Sequence, residues 1–376
     1  MKKKVLSALL SVAMVATLLV GCGGSSAPAA ESAPAEEAAP AEEAAAEEAP
    51  AAAEGGFHFE LVSKGFQHQF WQAVLQGAQE KADELGDTMN FVGPNSESDI
   101  ADQVQMFNNA INANPDAIGL AALDTSALLD AISAAQAAGI PIVGFDSGVP
   151  DAPEGAVLAN AATNNYNAGI LAAEETFKLI EDKLEAGAVI GVLSQDAVSQ
   201  SVGDRGLGFI DKMAELVSGK GLTVDVTGNE KFVNETKATV TAGGDVTIDV
   251  KVPAQVTAEL SQTDCLNLLN TPGIICVYGS NEHSAVAIVS ANETVGTVGK
   301  DVVGIGFDAG ATLKGAVRDG VLAGAVTQAP FAMGAATVEL LHKAAMGESI
   351  ADVDTGCTWY TADNMDEPAI AVNLYD

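Results

Sequence analysis

Gly139-Ile140-Pro141-Ile142-Val143-Gly144-Phe145-Asp146-Ser147 is a short apolar run that stops on a carboxylate. Residues 141–145 have the composition of a strand buried on both faces, and Asp146 stands at the carboxyl end of that strand. Working back toward the amino terminus, residues 125–138 form an amphipathic helical pattern and residues 117–122 a second buried strand. A helix over 100–113 and a strand over 89–92 precede them, and the series starts with a strand over 57–63 and a helix from about 70 to 85. Strands that alternate with helices in this way predict a parallel, doubly wound sheet.

Beyond residue 147 the alternation resumes. Strands are expected over 188–193, 246–252, 274–278 and 302–306, with helices over 166–183, 205–217, 256–269 and 284–291. The last of these strands also ends on an aromatic and a carboxylate, Phe307-Asp308. About 320 residues follow Gly56, more than one hydrophobic core usually fills, so the two series predict two α/β lobes. Residues 222–252 carry alternating Val and Thr around Ala242-Gly243-Gly244-Asp245, a pattern suited to an extra β-hairpin inserted in the second lobe.

The amino-terminal end reads differently. Lys2, Lys3 and Lys4 precede an apolar stretch over 5–20 that is too short to span a bilayer comfortably, as in an export signal. It closes on Leu19-Val20-Gly21-Cys22, which resembles the lipobox of bacterial lipoproteins. That resemblance makes residues 1–22 a signal peptide ending at a lipidated Cys22. Residues 23–56 are nearly all Ala, Glu, Pro, Ser and Gly, a composition that cannot bury enough apolar surface to offset ordering, and predict a disordered tether. Pro28, Pro34, Pro40 and Pro50 interrupt the alternative of an Ala/Glu helical rod.

The net charge of −34 excludes nucleic acid as a partner, since phosphate backbones require clusters of Lys and Arg. Cys265, Cys276 and Cys357 are too few for a disulfide scaffold and are not spaced as a zinc site; buried thiols are expected, with a Cys265–Cys276 bridge as the alternative. No metal or cofactor is implied. His58, His68, His283 and His342 are scattered, and no Gly-x-Ser-x-Gly elbow, Walker loop or His-Glu-x-x-His is present, which argues against an exported enzyme.

The two strand-end carboxylates carry the chemistry. Open α/β sheets bind ligands beyond the carboxyl ends of their strands, and an ionised carboxylate accepts hydrogen bonds from two neighbouring hydroxyls at once, as a polyol offers. Arg205 adds a rigid fork of donors, Asn281 and Gln328 both donate and accept, and Phe70 and Trp71 offer flat apolar faces to a sugar ring. Asp146 and Asp308 taken singly are equally suited to capping a helix, but their matching places in the two lobes favour a binding role. Because adjacent helical residues point apart, one of Phe70 and Trp71 is expected in the core.

Taken together, Lys64-Gly65-Phe66-Gln67-His68-Gln69-Phe70-Trp71, Gly77-Ala78, the 139–147 run, Thr163-Asn164-Asn165, Asp204-Arg205-Gly206-Leu207-Gly208-Phe209, Ser280-Asn281-Glu282, Gly304-Ile305-Gly306-Phe307-Asp308 and Val326-Thr327-Gln328-Ala329-Pro330 resemble the sugar-binding branch of the type I periplasmic binding proteins. The resemblance covers nearly everything from Phe59 onward. It implies lobes formed by residues 57–163 plus 329–356 and by 164–328 plus 357–376, joined by a three-strand hinge and closing on ligand. It also implies a monomeric, extracytoplasmic component of an ABC importer that serves a membrane permease and a cytoplasmic ATPase. The ligand-binding set it implies is Lys64, His68, Phe70, Trp71, Asp146, Thr163, Arg205, Asn281, Phe307, Asp308 and Gln328. Lys64 and His68 replace a small polar residue and an amide of the ribose binders, Ser147 replaces an arginine, and Ala121 removes another amide, so a sugar or polyol other than ribose is favoured. Either a carboxylate such as Asp146 neutralises Lys64, the expected arrangement, or the ligand is a sugar acid. A repressor ligand domain shares the architecture but not the export signal, and a receptor-presenting sensor is the remaining alternative.

Overall fold

The structure is a computed structural model that describes residues 56–66 and 68–375. The expected leader, Cys22 and the tether up to residue 55 lie outside the described residues. No helix among the described residues is long and apolar enough to cross a membrane.

The first sheet grows from β1 (His58–Val62), α1 (Gln69–Leu85), β2 (Thr88–Val92), α2 (Ile100–Asn112), β3 (Ala117–Leu120), α3 (Leu129–Ala137), β4 (Ile142–Phe145) and β5 (Val157–Ala162). A second series follows: α4 (Asn165–Ile180), β6 (Val189–Leu193), α5 (Gln200–Gly219), β7 (Val224–Gly228), α6 (Glu230–Glu235), β8 (Val246–Lys251), α7 (Ala258–Leu269), β9 (Ile274–Gly279), α8 (Glu282–Val295), β10 (Val303–Phe307), α9 (Ala311–Arg318) and β11 (Gly324–Gln328). The chain then returns through α10 (Pro330–Ala345) and β12 (Val353–Asp354) to the first sheet, and ends with β13 (Cys357–Tyr360) and α11 (Pro368–Ala371). The sheets order as β12-β5-β4-β3-β1-β2 and β13-β11-β10-β9-β6-β8-β7, and every pairing is parallel except β11 with β13. This is the expected pair of parallel α/β sheets. The chain passes between them after β5, after β11 and between β12 and β13.

The central strands β3, β4 and β6 are buried on both faces, which is why they are apolar runs, whereas β7 and β8 toward the edge of the second sheet alternate. In the first, Phe59, Leu61 and Val143 pack on Val338 and Leu341 of α10, while Val62, Ile118 and Ile142 pack on Phe107 and Ile132 of α2 and α3. In the second, Ile190, Val192 and Ile248 meet Ala172, Phe209 and Met213 of α4 and α5, and Val277 meets Ile288 and Leu268 on the opposite face.

Glycines let the flanking helix pairs touch backbone to backbone. A Cβ on Gly77 of α1 would strike the Phe331 carbonyl of α10, and one on Gly334 of α10 would strike that of Val74. The second lobe repeats the arrangement: Gly169 of α4 lies against the Arg205 carbonyl and Gly208 of α5 against that of Tyr166.

The hairpin expected over residues 222–252 is not formed. β7 and β8 pair in parallel, Val224 with Val246 through Gly228 with Val250, and α6 crosses between them. Two local features divert the chain. Asn229 caps α6 by accepting from the Lys231 N–H at 3.0 Å, and Phe232 sinks into the core as the anchor of a short crossover. The Gly243-Gly244 turn, which suggested a hairpin, instead leads the chain back to the start of β8: Gly244 N–H bonds the Thr241 carbonyl, and Thr241 N–H bonds that of Val224. Cys265, Cys276 and Cys357 are free thiols, which removes the Cys265–Cys276 bridge; burial pushes Cys265 and Cys276 up to about 12.

Candidate functional site

Residues that follow the carboxyl ends of strands in both sheets converge on one narrow cavity of ≈30 Å³. From the first sheet come Lys64 just beyond β1, Glu97 beyond β2 and Asp146 directly after β4. From the second come Asn281 beyond β9, Asp308 directly after β10 and Gln328 at the end of β11. The amino-terminal turn of α1 adds His68, Phe70 and Trp71, and α5 adds Val202 and Arg205.

Asp146 and Asp308 occupy equivalent places and share an unusual backbone. Their φ angles are 57° and 72°, in the left-handed region that few residues with a Cβ adopt. Neither is the N-cap of the helix that follows it, since Asn164 caps α4 and Gly310 precedes α9, although Asp308 Oδ2 accepts from the Glu282 N–H of α8 at 3.1 Å. Arg205 lies between them: one guanidinium nitrogen is 4.0 Å from Asp146 Oδ1 and the other 3.6 Å from Asp308 Oδ2. Its Nε donates to Asn165 Oδ1 at 2.7 Å, and its plane stacks on the Phe307 ring 4.2 Å from the centroid. Burial raises the Asp308 carboxyl above its ordinary range even though Arg205, Gln328 and the Glu282 N–H oppose the shift.

Lys64 is 5% exposed, and a buried ammonium needs partners. It has them: Nζ is 3.1 Å from Asp146 Oδ2 and donates to Ser199 Oγ and Ser201 Oγ, each at 3.1 Å. Burial alone would lower its pKa, but Asp146, Glu97 and Asp196 together hold it above the ordinary lysine value. The expected pairing with Asp146 is present in this geometry. Asp146 Oδ2 makes no contact of hydrogen-bonding geometry, and Gln328, whose Nε2 donates to Asp308 Oδ1 at 2.7 Å, keeps a buried Oε1 without a partner.

Of the residues singled out in the sequence, Lys64, His68, Phe70, Trp71, Asp146, Arg205, Asn281, Asp308 and Gln328 line the cavity. Two do not. Thr163 sits at the first crossover, donating from Oγ1 to the Gly356 carbonyl at 3.0 Å, and Phe307 is fully buried beneath Arg205. Phe70 and Trp71 both reach the cavity although neighbours on a helix were expected to diverge. They lie in its first turn, packed edge to face at 5.0 Å, so the same small aromatic cluster holds both. Asn281 reaches the cavity with its amide committed elsewhere, capping α8 through the Ser284 N–H and donating to Gln195 Oε1 at 2.7 Å.

Glu97, Glu282 and His283 were missed. Glu97 Oε1 accepts from Trp71 Nε1 and Oε2 from Gln195 Nε2, both at 2.8 Å; burial would raise its pKa, but Lys64, His68 and these donors hold the carboxyl below its usual value. Glu282 Oε1 faces His68 Nδ1 at 3.9 Å and Oε2 accepts from Tyr375 OH at 3.2 Å. Burial pushes Glu282 up to about 7, with Asp308 and Glu97 adding to the rise and His68 and Tyr375 opposing it. His283, lowered by burial and by His68, bonds Ser261 Oγ through Nε2 at 2.8 Å. Glu97 follows a strand end as Asp146 does and Glu282 adjoins Asn281, so the strand-edge rule, applied to loops as well as to strand termini, was the available signal.

Two parallel-sheet lobes, linked at three places and presenting their strand ends to one shared polar cavity, define a two-lobe binding protein for small solutes. The chain belongs to the periplasmic binding protein domain family, which it matches over residues 59–349. Among solved structures, a Brachyspira murdochii protein described as an ABC transporter, LacI family transcriptional regulator is 34% identical, covering 85% of this chain and 99% of that one at a TM-score of 0.71. An ABC transporter solute-binding protein from Agrobacterium vitis with bound D-fucose is 30% identical, covering 85% of this chain and all of that one (100%) at a TM-score of 0.70. The ribose import binding protein RbsB of Salmonella typhimurium is 25% identical over 295 residues, 77% of this chain and 85% of that protein.

Proposed function

We propose that this protein is the extracytoplasmic sugar-binding component of an ABC importer, that it is held at the membrane by lipid on Cys22, and that it delivers a sugar or polyol to its permease. The observation that carries this reading is the Asp146–Arg205–Asp308 network, in which one carboxylate from each sheet flanks a single guanidinium in a shared cavity. Such a pair accepts from adjacent hydroxyls while Arg205 donates to ring or hydroxyl oxygens. The relatives described as binders of ribose, apiose and allose, and the neighbour holding D-fucose, support the same class. Lys64 already has an internal counter-charge, which favours a neutral ligand over a sugar acid.

The three crossovers act as a hinge, and ligand contacts to both lobes stabilise the closed arrangement that the permease recognises. A thermal-shift panel of pentoses, hexoses, deoxy sugars, polyols, nucleosides and sugar acids tests the reading, because a ligand that binds only the folded state raises the melting temperature. At least one sugar or polyol should give a saturable shift; a response confined to nucleosides or acids would overturn the assignment. For the anchor, Cys22→Ser should move the protein from the membrane to the soluble fraction of cells.

A further inference from the structure

The cavity carries more negative charge than its bases compensate. Glu97, Asp146, Glu282 and Asp308 line it, against Lys64 and Arg205 as the permanently charged bases. Both bases are committed: Lys64 to Asp146, Ser199 and Ser201, and Arg205 to Asn165 and the two aspartates. Among the described residues Glu282 is the carboxyl without a full partner, since its nearest base is the His68 ring at 3.9 Å and its one donor is the Tyr375 hydroxyl. Beside these carboxyls sits an acceptor with nothing to accept from, Gln328 Oε1, on a side chain 1% exposed.

A buried carboxylate lacking a counter-ion is costly, and a bound cation removes that cost. Among the described residues no group of three or more His, Cys, Asp and Glu side chains is placed to hold a metal ion. The compensating charge that suits these dispersed acceptors is an ammonium carried on the ligand, whose N–H donors reach separate oxygens.

Building on the sugar-binding reading, we propose that the cleft selects an amino sugar, with Glu282 supplying the counter-charge for its protonated amine and Glu97 reinforcing it. The groups facing Glu282 are His68, Asp308, Glu97 and Tyr375, and of these only His68 is able to supply a competing positive charge. Protonation of Glu282, which burial has pushed up to about 7, weakens an amine's hold and relieves the cost for a neutral ligand. Between about pH 6 and pH 7, where a hexosamine's own amine is still protonated, the preference for the amine therefore grows as pH rises.

Calorimetry at pH 7.5 on the full chain compares D-glucosamine with D-glucose and D-galactosamine with D-galactose, with D-glucuronate as the anionic control. One amino sugar should bind at least about tenfold more tightly than its neutral parent, as expected for a charge-assisted bond. Glu282→Gln should bring that ratio to within about threefold, and Glu97→Gln should reduce it, with melting curves recorded to show that each variant is folded. A neutral parent that binds as well as its amino sugar overturns the proposal. So does a wild-type preference that survives in Glu282→Gln, or a preference that falls as pH rises from about 6 to 7, because Glu282 gains its charge over that range and a hold that weakens there is not its counter-charge. If neither member of any pair binds while another neutral sugar does, the amine preference fails and the sugar reading stands; if no sugar binds at all, both fail.

Discussion

Asp146 and Asp308 make the sharpest single-residue predictions. Each carboxylate is expected to accept from ligand hydroxyls in a closed cleft, so Asp146→Asn and Asp308→Asn should each weaken sugar binding by about 2 kcal/mol while the fold survives. Unchanged calorimetric affinity in both variants would sink the two-lobe carboxylate arrangement. Lys64→Met removes the nearest charge from Asp146, leaving Arg205 at 4.0 Å, and should lower unfolding stability by up to about 3 kcal/mol in urea titrations. Glu282 adds a pH dependence. Its folded pKa, near 7, lies above the ordinary 4.5, so between those values the folded chain binds more protons than the unfolded one, and stability falls as pH rises through that window. The loss is on the order of 3 kcal/mol at most and flattens above pH 7. Glu282→Gln should remove that slope, and an identical pH profile in the variant would refute the assignment. The sequence made these residues partly legible: a carboxylate after an apolar strand is visible in one dimension, whereas the raised Glu282 and lowered Glu97 depend on neighbours brought from the other sheet.

At the scale of elements, the paired glycines decide how closely α1 approaches α10 and α4 approaches α5. Gly208→Ala has to push α5 off α4, because the added methyl meets the Tyr166 carbonyl. Overpacking of that kind costs about 1–3 kcal/mol, and here it also shifts the helix that carries Arg205. Gly208→Ala should therefore lower both the melting temperature and sugar affinity, whereas Gly219→Ala, at the exposed end of the same helix with open space around it, should do neither. Loss of stability without loss of affinity would mean that α5 does not position Arg205 rigidly. Apolar runs and amphipathic helices found most of the strands and helices in the sequence, but not α6, α9, α10 or α11. The strands that escaped were β5, β11, β12 and β13, whose strand character is imposed by their neighbours: Val157–Ala162 is rich in Ala and Asn, and Val353–Asp354 is only two residues long. The 222–252 error has the same root, since a Gly-Gly turn between Val/Thr runs gives no sign of which sheet edge receives the second run.

For the whole molecule, the described arrangement is closed. Lys64 reaches Ser199 and Ser201, Glu97 reaches Gln195, and Gln69 Oε1 accepts from the Ala311 N–H at 3.3 Å, each bond joining an element of the first sheet's lobe to one of the second's. Combining Ser199→Ala with Ser201→Ala removes two of these bonds and should enlarge the radius of gyration of the free protein in small-angle scattering. Saturating sugar should restore the compact form in the variant and raise its melting temperature. A radius that neither the substitutions nor the sugar changes would argue against hinge closure. That two lobes exist was legible from chain length and repeated alternation, but which bonds hold them shut was not, because all of these join residues far apart in sequence.

The left-handed backbone at Asp146 and Asp308 also limits how the cleft can diversify. Apart from Gly, few residues other than Asn, Asp and His accept that conformation without strain. A combinatorial library aimed at new ligands would thus find a short alphabet at the two positions that matter most: acid, amide, imidazole or nothing. Most new specificities would have to be written at Glu97, Glu282, His68 and Gln195, whose backbones carry no such restriction, while the two aspartates stay as fixed points around which the rest of the vocabulary changes.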